Sequence, residues 1–361
     1  MTVTTSAPHP PLPTTTDADR AVQLLDRSRA LVRPALAEAV GRLHPWVGEM
    51  AAYSFGWCEV SGAPAAPGTA AGGKGLRQAL AVLGAKAAGA PAGAGMSAAV
   101  AVELVHTFSL LHDDIMDGDA TRRGRPTVWK AYGTGPAVLA GDALFALAVE
   151  TLASAPGSDI PSAVRHLSTA LNDLVSGQAD DLLFESRPWT GPEAVGPDEY
   201  RAMAENKTGA LLGCAAALGA VLAGAPATTV TALDRAGRHL GVAFQVIDDL
   251  LGIWGDPAVT GKPVHADLRR RKKTFPVLAA LDTPAAARPL ARLLEGAEEL
   301  DDATARRAAA LIEEAGGRSA ALAEAHRHIA HVHACLDSLP TASHAADDLR
   351  ALLAFLVRRE M

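Results

Sequence analysis

Two apolar segments, far apart in the chain, each end in a cluster of aspartates. The first cluster is Asp113, Asp114 and Asp117, and the second is Asp248 and Asp249. Residues four apart share one face of a helix, so Asp113 and Asp117 repel each other and destabilise the helix by about 0.2–0.5 kcal/mol. For either cluster alone, a solvated acidic helix end is an equally good interpretation. Two such helix ends facing each other across a bundle would instead surround one polyanion with the hard oxygen ligands that Mg²⁺ prefers.

The composition of the chain predicts an all-α fold. Hydrophobic residues make up 49% of the 361 residues and aromatic residues only 4%. Alanine and leucine supply much of the apolar content, which favours helices over strands. We expect a disordered Thr/Pro-rich tail over residues 1–17 and one large helical domain over residues 18–361, built as a bundle around a central cavity.

Glycine and proline mark the ends of most of the expected helices. Thr16 or Asp17 is expected to cap a first helix that runs to about Gly48, and residues 49–73 are expected to form a loop. Further helices are predicted at 76–88, 96–117, 136–153, 160–184, 198–224, 229–254, 276–281, 286–298, 302–316, 318–337 and 344–358.

Charge, cysteine content and hydropathy together favour a cytoplasmic protein. The net charge of −7 argues against a nucleic-acid partner. Cys58, Cys214 and Cys335 are odd in number and widely spaced, which predicts neither a disulfide framework nor a zinc site. The first residues lack the basic and apolar parts of a secretory signal. The uncharged run 208–233 is long enough to span a bilayer, but its Ala/Gly content and Pro226 favour a packed core helix, so no membrane span is expected.

Basic residues form a third set of candidates. Gly72 and Gly73 lead into Lys74 and Arg77, and further basic residues follow the first aspartate cluster or lie in turns: Arg122, Arg123, Lys207 and Lys262. Each of them alone is more simply a solvated surface charge. Together with the aspartates they are suited to bind diphosphate, because Arg forks and Lys point charges both match phosphate oxygens.

The order of these motifs resembles that of the trans-isoprenyl diphosphate synthase (polyprenyl synthetase) family, from about Gly72 to Pro276. The matched motifs are GGKxxR (Gly72, Gly73, Lys74, Arg77), a histidine seven residues before the first aspartate (His106), DDxxD followed by RRG (Asp113, Asp114, Asp117, Arg122, Arg123, Gly124), GQxxD (Gly177, Gln178, Asp181), KT (Lys207, Thr208), FQxxDD (Phe244, Gln245, Asp248, Asp249), GKxxxxDL (Gly261, Lys262, Asp267, Leu268) and KxT (Lys272, Thr274). So many matches in the same order are not explained by chance.

Three positions depart from the family pattern. Gly75 replaces a common arginine, Gln78 stands where proline is usual, and Gly252 replaces the third aspartate of the second cluster. The residues that resemble the family's diphosphate and metal ligands are kept. The departures therefore bear on metal affinity at the second cluster and leave the reaction class unchanged.

The resemblance implies an isoprenoid synthase fold and head-to-tail prenyl transfer, in which isopentenyl diphosphate is condensed with an allylic diphosphate (dimethylallyl, geranyl or farnesyl). Three Mg²⁺ ions are implied, with metal ligands Asp113, Asp114, Asp117, Asp248 and Asp249. Substrate contacts are implied for Lys74, Arg77, His106, Arg122, Arg123, Lys207, Thr208, Gln245, Lys262 and Lys272. Catalytic roles are implied for Asp113, Asp117, Asp248, Lys207 and Gln245. The leaving diphosphate is the expected proton acceptor, so no side-chain base is assigned.

Product length is expected to depend on residues one turn before the first aspartates. Phe108 and Ser109 would point down the cavity from the metal end of the helix. A bulky Phe108 resembles the chain-stopping position of short-chain synthases, and the uninterrupted spacing from Asp114 to Asp117 resembles geranylgeranyl synthases. The predicted product has 20 carbons, with 15 as the runner-up.

Two other functions remain as alternatives. A terpene cyclase shares the helical bundle and one aspartate motif, but it needs no second diphosphate site, so Lys74, Arg77 and His106 argue against it. A non-catalytic regulatory subunit of a synthase is disfavoured by the intact aspartates. The resemblance alone implies a homodimer.

Overall fold

Helices dominate the described residues, which confirms the all-α prediction. The computed structural model describes residues 15–65, 75–156, 159–257, 263–296, 298–339 and 344–359. The helices are α1 (Thr15–Val40), α2 (Pro45–Ser54), α3 (Leu76–Ala87), α4 (Met96–Met116), α5 (Val128–Tyr132), α6 (Thr134–Ala153), α7 (Ile160–Ser186), α8 (Pro197–Ala204), α9 (Ala210–Leu222), α10 (Ala227–Trp254), α11 (Ala266–Arg269), α12 (Phe275–Leu281), α13 (Pro284–Leu294), α14 (Asp302–Glu314), α15 (Gly317–Asp337) and α16 (His344–Arg359). The short strands β1 (Thr121–Arg122) and β2 (Arg125–Pro126) form a hairpin. Residues 15–17 of the expected tail 1–17 lie in α1, whereas residues 1–14, Lys74 and Lys262 lie outside the described residues.

The helix predicted at the start of the chain is two helices in the structure. α1 ends at Val40 and α2 begins at Pro45, so the prediction of one helix to Gly48 was wrong. The proline ring disfavours helical backbone at the residue before it. His44 accordingly has φ −50° and ψ 135°, and its side chain accepts a hydrogen bond from the Trp46 N–H at the start of α2.

The core of the bundle is built around α9. Every residue from Ala210 to Val221 is buried, and α9 packs against α3, α7 and α10. The uncharged run 208–233 therefore contains the core helix that its composition predicted. By length and composition, Ala92–Met116 and Thr134–Ala153 would also be able to cross a membrane, and 61% and 39% of their apolar windows are buried in this fold.

A wide turn interrupts the helix predicted over 198–224. The π-helical turn Glu205–Gly209 joins α8 to α9 without a break and lies against α7 and α10. Turns of this kind often occur at functional sites, because the extra residue bulges out of the helix and re-aims its side chains. Here the turn carries Lys207 and Thr208.

Candidate active site

The first aspartate cluster closes α4. Asp113 and Asp114 lie in the last turn of the helix, and Asp117 caps its C-terminal end. Arg122 of β1 donates from Nε to the buried carboxylate of Asp114 at 2.7 Å. A protein cation therefore engages Asp114, while Asp113 and Asp117 are partly exposed.

The hairpin after α4 places two neighbouring arginines beside Asp114. Arg123 and Gly124 form its two-residue loop with φ of 52° and 74°, the positive angles that a type I′ turn requires. Arg122 pairs with Asp114. The charge of Arg123 acts on Arg77 and Glu103 and also interacts with that of Asp114.

Asp113 is electrostatically perturbed. Burial raises its pKa to about 6, the nearby charge of Asp117 adds to the shift, and the cation of Lys207 opposes it. Lys207 in turn makes an ion pair with Asp181 of α7. Burial would lower the pKa of Lys207, but the charges of Asp181, Asp113 and Asp117 outweigh burial and raise it. Lys207 is thus a charged group among three carboxylates.

The second aspartate cluster lies near the end of α10, and its two members differ in environment. Asp248 is exposed, whereas Asp249 is buried. The carboxylate of Asp249 accepts hydrogen bonds from the Tyr200 hydroxyl, from the Phe275 N–H at 2.8 Å and from Gln245 Nε2 at 3.4 Å. Burial raises the pKa of Asp249 well above its ordinary value, although the hydrogen bonds from Tyr200 and from the Phe275 N–H act to lower it. The negative charges of Asp267 and Asp248 add to the rise.

The π-helical turn connects the two aspartate clusters. Its Lys207 is close enough to Asp113 and Asp117 for their charges to raise its pKa. Its Thr208 donates from Oγ1 to Gln245 Oε1 at 3.0 Å, and Gln245 donates to Asp249. The structure therefore brings together the two clusters, Lys207, Thr208 and Gln245.

A second contact joins the segments at the end of the bundle that carries both aspartate clusters; this end is called the mouth below. Arg270, just after α11, donates to the Asp117 carbonyl at 3.1 Å and to Asp119 Oδ1 at 3.2 Å. The segment that follows α10 is thereby tied to the end of α4.

Two glycines let the backbone of the turn approach its neighbours. A Cβ at Gly177 of α7 would lie 2.2 Å from the Lys207 nitrogen, and one at Gly241 of α10 would lie 2.3 Å from the Gly209 Cα. Both neighbours are backbone atoms, which cannot move aside without shifting a helix. These glycines therefore set how deeply Lys207 reaches between α4 and α7.

Behind Asp114 lies a compartment with buried cations. Arg77 Nη1 and His106 Nε2 are 3.2 Å apart. Because a guanidinium can only donate, His106 accepts at Nε2 and carries its proton on Nδ1. Burial lowers the pKa of Arg77 to about 10, and burial with the charges of Arg77 and Arg123 holds the pKa of His106 well below its ordinary value. The pair is thus a neutral imidazole beside a buried cation.

This compartment is a cavity of about 400 Å³. Its polar lining includes Glu103, His106, Asp114, Arg122, Arg123 and Arg125, together with Arg29 and Arg33 of α1. Arg77 Nε is buried without a hydrogen-bond partner among the described residues. A buried donor beside an arginine-lined cavity is suited to an anionic ligand.

The remaining candidates occupy simpler environments. Phe108 packs edge-on against His112, with ring centroids 4.9 Å apart, and against Phe145 of α6 at 5.6 Å. Ser109 is buried and donates to the His106 carbonyl at 2.9 Å. The Lys272 N–H donates to the Asp267 carbonyl at 2.9 Å in the turn after α11.

Sequence reasoning left several site residues without a role. Asp181 and Gln178 belong to the GQxxD motif, so the sequence did carry a signal for them. In the structure, Asp181 makes an ion pair with Lys207. Both polar side-chain atoms of Gln178 are buried without a hydrogen-bond partner among the described residues. Tyr200 and Glu103 carried no motif signal. Tyr200 is found only because folding places its hydroxyl on Asp249.

The carboxylates suit a hard divalent cation. Among the described residues, no three His, Cys, Asp or Glu side chains converge well enough to hold a metal ion by themselves. Mg²⁺ commonly takes one or two carboxylates and completes its shell with water and substrate phosphate oxygens. The partly exposed Asp113, Asp117 and Asp248 match that mode of binding.

A helical bundle with carboxylates on two facing helix ends and buried cations beside them defines a protein that binds polyanionic ligands. Residues 62–312 match the family model for polyprenyl synthetase, and the chain belongs to that family. It is 45% identical over 95% of both chains to a geranylgeranyl diphosphate synthase of Mycobacterium tuberculosis. It is 42% identical over 97% of both chains to a (2E,6E)-farnesyl diphosphate synthase of Mycobacterium bovis. A polyprenyl synthetase crystal structure from Streptomyces coelicolor A3(2) matches with a TM-score of 0.87 and 46% identity, covering 93% of this chain and 99% of that one.

Proposed function

We propose that this chain condenses isopentenyl diphosphate with an allylic diphosphate to a 20-carbon prenyl diphosphate, with the 15-carbon product as the alternative. The reaction class is that of its family: the chain is a head-to-tail prenyltransferase of the short-chain type. The observation that carries the residue assignment is the π-helical turn, because its Lys207 faces the first aspartate cluster and its Thr208 reaches the second through Gln245.

The allylic diphosphate is assigned to the mouth between α4 and α10. Asp113, Asp117 and Asp248 would hold up to three Mg²⁺ ions there, with Lys207 as a fixed cation among them. When bound, Mg²⁺ would neutralise charge that develops on the leaving diphosphate. Asp114 and Asp249 are engaged by Arg122 and by Tyr200, so we assign them to orienting these neighbours. Lys262 is assigned to the same diphosphate on the resemblance alone.

Isopentenyl diphosphate is assigned to the cavity behind Asp114. Arg77 lies beside this cavity, where its buried Nε has no hydrogen-bond partner among the described residues, and the hairpin arginines Arg122, Arg123 and Arg125 add positive charge to the lining. Neutral His106 accepts from Arg77 and so fixes its orientation. Lys74 and Lys272 are assigned to this substrate-binding machinery from the motif match.

The chemical step needs separation of charge rather than a strong base. The C1–O bond of the allylic diphosphate breaks, and its electron pair leaves with the diphosphate. The double bond of isopentenyl diphosphate then attacks C1, and the product loses a proton from C2 to the departed diphosphate. Gln245 and Thr208 lie one hydrogen bond apart beside the second cluster, where their oxygen dipoles stabilise the allylic cation.

We assign a homodimer to the enzyme, in the cytoplasm. Exposed apolar side chains are concentrated on α6 and α7: Val138, Leu139, Phe145, Val175 and Leu183. Exposed apolar side chains on two neighbouring helices are typical of an interface between subunits.

One assay tests the proposal. Purified protein is incubated with Mg²⁺, labelled isopentenyl diphosphate and each allylic diphosphate in turn, with a chelator control. Longer prenyl diphosphates formed only with Mg²⁺ are the expected result. Hydrocarbons or alcohols would identify a terpene cyclase, and no turnover would favour the regulatory subunit.

A further inference from the structure

Gly252 stands one turn beyond Asp248 on α10, at the position where the resemblance places a third aspartate. The backbone at this position is ordinary helix, so glycine is not required for conformation. The reason for a glycine must therefore lie in what surrounds it.

The space beside Gly252 is filled by one acidic side chain. A Cβ at this position would lie 1.8 Å from Asp267 Oδ2, 2.5 Å from its Cγ and 3.2 Å from its Oδ1. Asp267 belongs to α11, and the segment is tied to α10 by the His265 N–H, which donates to the Ile253 carbonyl at 3.1 Å. The carboxylate of Asp267 thus occupies the volume into which a side chain at position 252 would project.

This contact differs from those of the two glycines beside the π-helical turn. At Gly177 and Gly241 the three nearest atoms are all backbone, as expected where two helices pack closely. At Gly252 all three belong to a carboxylate. Helix packing therefore explains the first two glycines, whereas Gly252 makes room for an acid.

We infer that Asp267 supplies, from α11, the third carboxylate of the second aspartate cluster, and that Gly252 is the matched residue that admits it. Asp267 then acts as a positioning residue for the Mg²⁺–diphosphate complex held by Asp248. The inference rests on the proposed Mg²⁺-dependent function. It predicts that a change at Gly252, which has no ligand atom of its own, alters metal binding.

The test measures the Mg²⁺ concentration that gives half-maximal thermal stabilisation by inorganic diphosphate, and in parallel the Mg²⁺ requirement of turnover. Asp267→Ala is expected to raise both by about 10- to 100-fold, as for loss of other groups that orient metal ligands. Gly252→Ala is expected to do the same by displacing the carboxylate. The double variant should be no worse than Asp267→Ala, because both changes act through one group.

A transplant variant, in which the acid is moved from position 267 to position 252, distinguishes the loss of a carboxylate from damage to the fold. Asp267→Ala combined with Gly252→Asp returns an acid to the vacated volume from α10, and it is expected to recover most of the Mg²⁺ affinity. Gly135→Ala, whose Cβ meets nothing within 4 Å, and Asp282→Ala, at an exposed helix end, are the matched controls. Melting without metal checks each variant's fold.

Two results would contradict the role inferred for Asp267, and a third would contradict the proposed function instead. Unchanged Mg²⁺ dependence in Asp267→Ala, or a transplant no better than Asp267→Ala, overturns the inference. Failure of the proposed function appears separately, as a wild-type protein that neither turns over nor is stabilised by Mg²⁺ with diphosphate.

Discussion

Asp113 illustrates, at the scale of one residue, how a buried carboxylate of the candidate site lowers the stability of the fold. Burial raises its pKa from the ordinary 3.8 to about 6. Between these values the folded protein holds a proton that the unfolded chain releases. The free energy of unfolding therefore falls as the pH rises from about 4 to about 6, and the full cost is present at neutral pH.

Replacement of this carboxylate should stabilise the protein and stop the reaction. We expect Asp113→Asn to raise the free energy of unfolding by on the order of 1–2 kcal/mol at pH 7 without metal, with the gain gone at pH 4. Denaturant unfolding in EDTA at both pH values measures it, with exposed Asp282→Asn as control. An equal loss of stability at both pH values would contradict the prediction.

Arg77 should act selectively on one substrate. Arg77→Lys keeps the charge but loses the planar fork, so we expect KM for isopentenyl diphosphate to rise by about tenfold or more while KM for the allylic diphosphate changes little. Steady-state kinetics with each substrate varied in turn measure the two values. A matched rise in both would place Arg77 outside the isopentenyl site.

Phe108 tests the predicted floor of the product pocket. Its ring packs on His112 and Phe145 between α4 and α6, and its removal opens space there. We expect Phe108→Ala to shift products beyond 20 carbons, measured by chromatography of the dephosphorylated alcohols. An unchanged product length would move the floor elsewhere.

At the scale of secondary-structure elements, the π-helical turn positions two residues of the candidate site, Lys207 and Thr208. Gly177→Ala would place a methyl group 2.2 Å from the Lys207 nitrogen and push the turn away from α7. We expect the free energy of unfolding to fall by about 1–3 kcal/mol because of the steric clash. We also expect kcat to fall by a larger factor than KM changes, because Lys207 is displaced from Asp113. Gly135→Ala, with open space around its Cβ, serves as the control in melting and kinetic measurements.

The elements also show what a sequence can reveal. α7 begins at Ile160, as helical periodicity predicted, and α9 ends at Leu222, two residues before the predicted end at 224. The break before Pro45 was missed because periodicity continues across it. The π-helical turn was missed because its hydrogen bonding is set by packing against α7 and α10, which leaves no local signal.

At the scale of the whole molecule, the paired faces of α6 and α7 predict assembly. We expect Leu139→Asp with Val175→Asp to convert a dimer into folded monomers, since both side chains are exposed on these helices at 50% and 57%. Sedimentation equilibrium measures the change, and Val60→Asp, equally apolar and 47% exposed elsewhere, is the control. A wild-type monomer would remove the basis for this assignment.

The residues of the candidate site were easier to predict from sequence motifs than was their arrangement in space. Motif spacing identified Asp113, Lys207 and Gln245, which the fold brings to one mouth. Motif spacing did not reveal the ion pair between Asp114 and Arg122, because that contact depends on how the hairpin packs against α4. It also did not reveal that Asp267 fills the space beside Gly252, because that contact depends on how α11 packs against α10.

The hairpin after α4 has one further consequence. Arg122 and Arg123 are adjacent, so their Cα atoms are about 3.8 Å apart. Both line the buried cavity, where Arg122 holds Asp114 of the first aspartate cluster and the charge of Arg123 acts on Arg77. One peptide bond therefore separates an arginine that holds the end of the metal-binding cluster from an arginine that acts on the residues assigned to isopentenyl diphosphate. We expect a residue inserted between Arg122 and Arg123 to change the spacing of these two groups, and so to lower kcat more than it changes either KM.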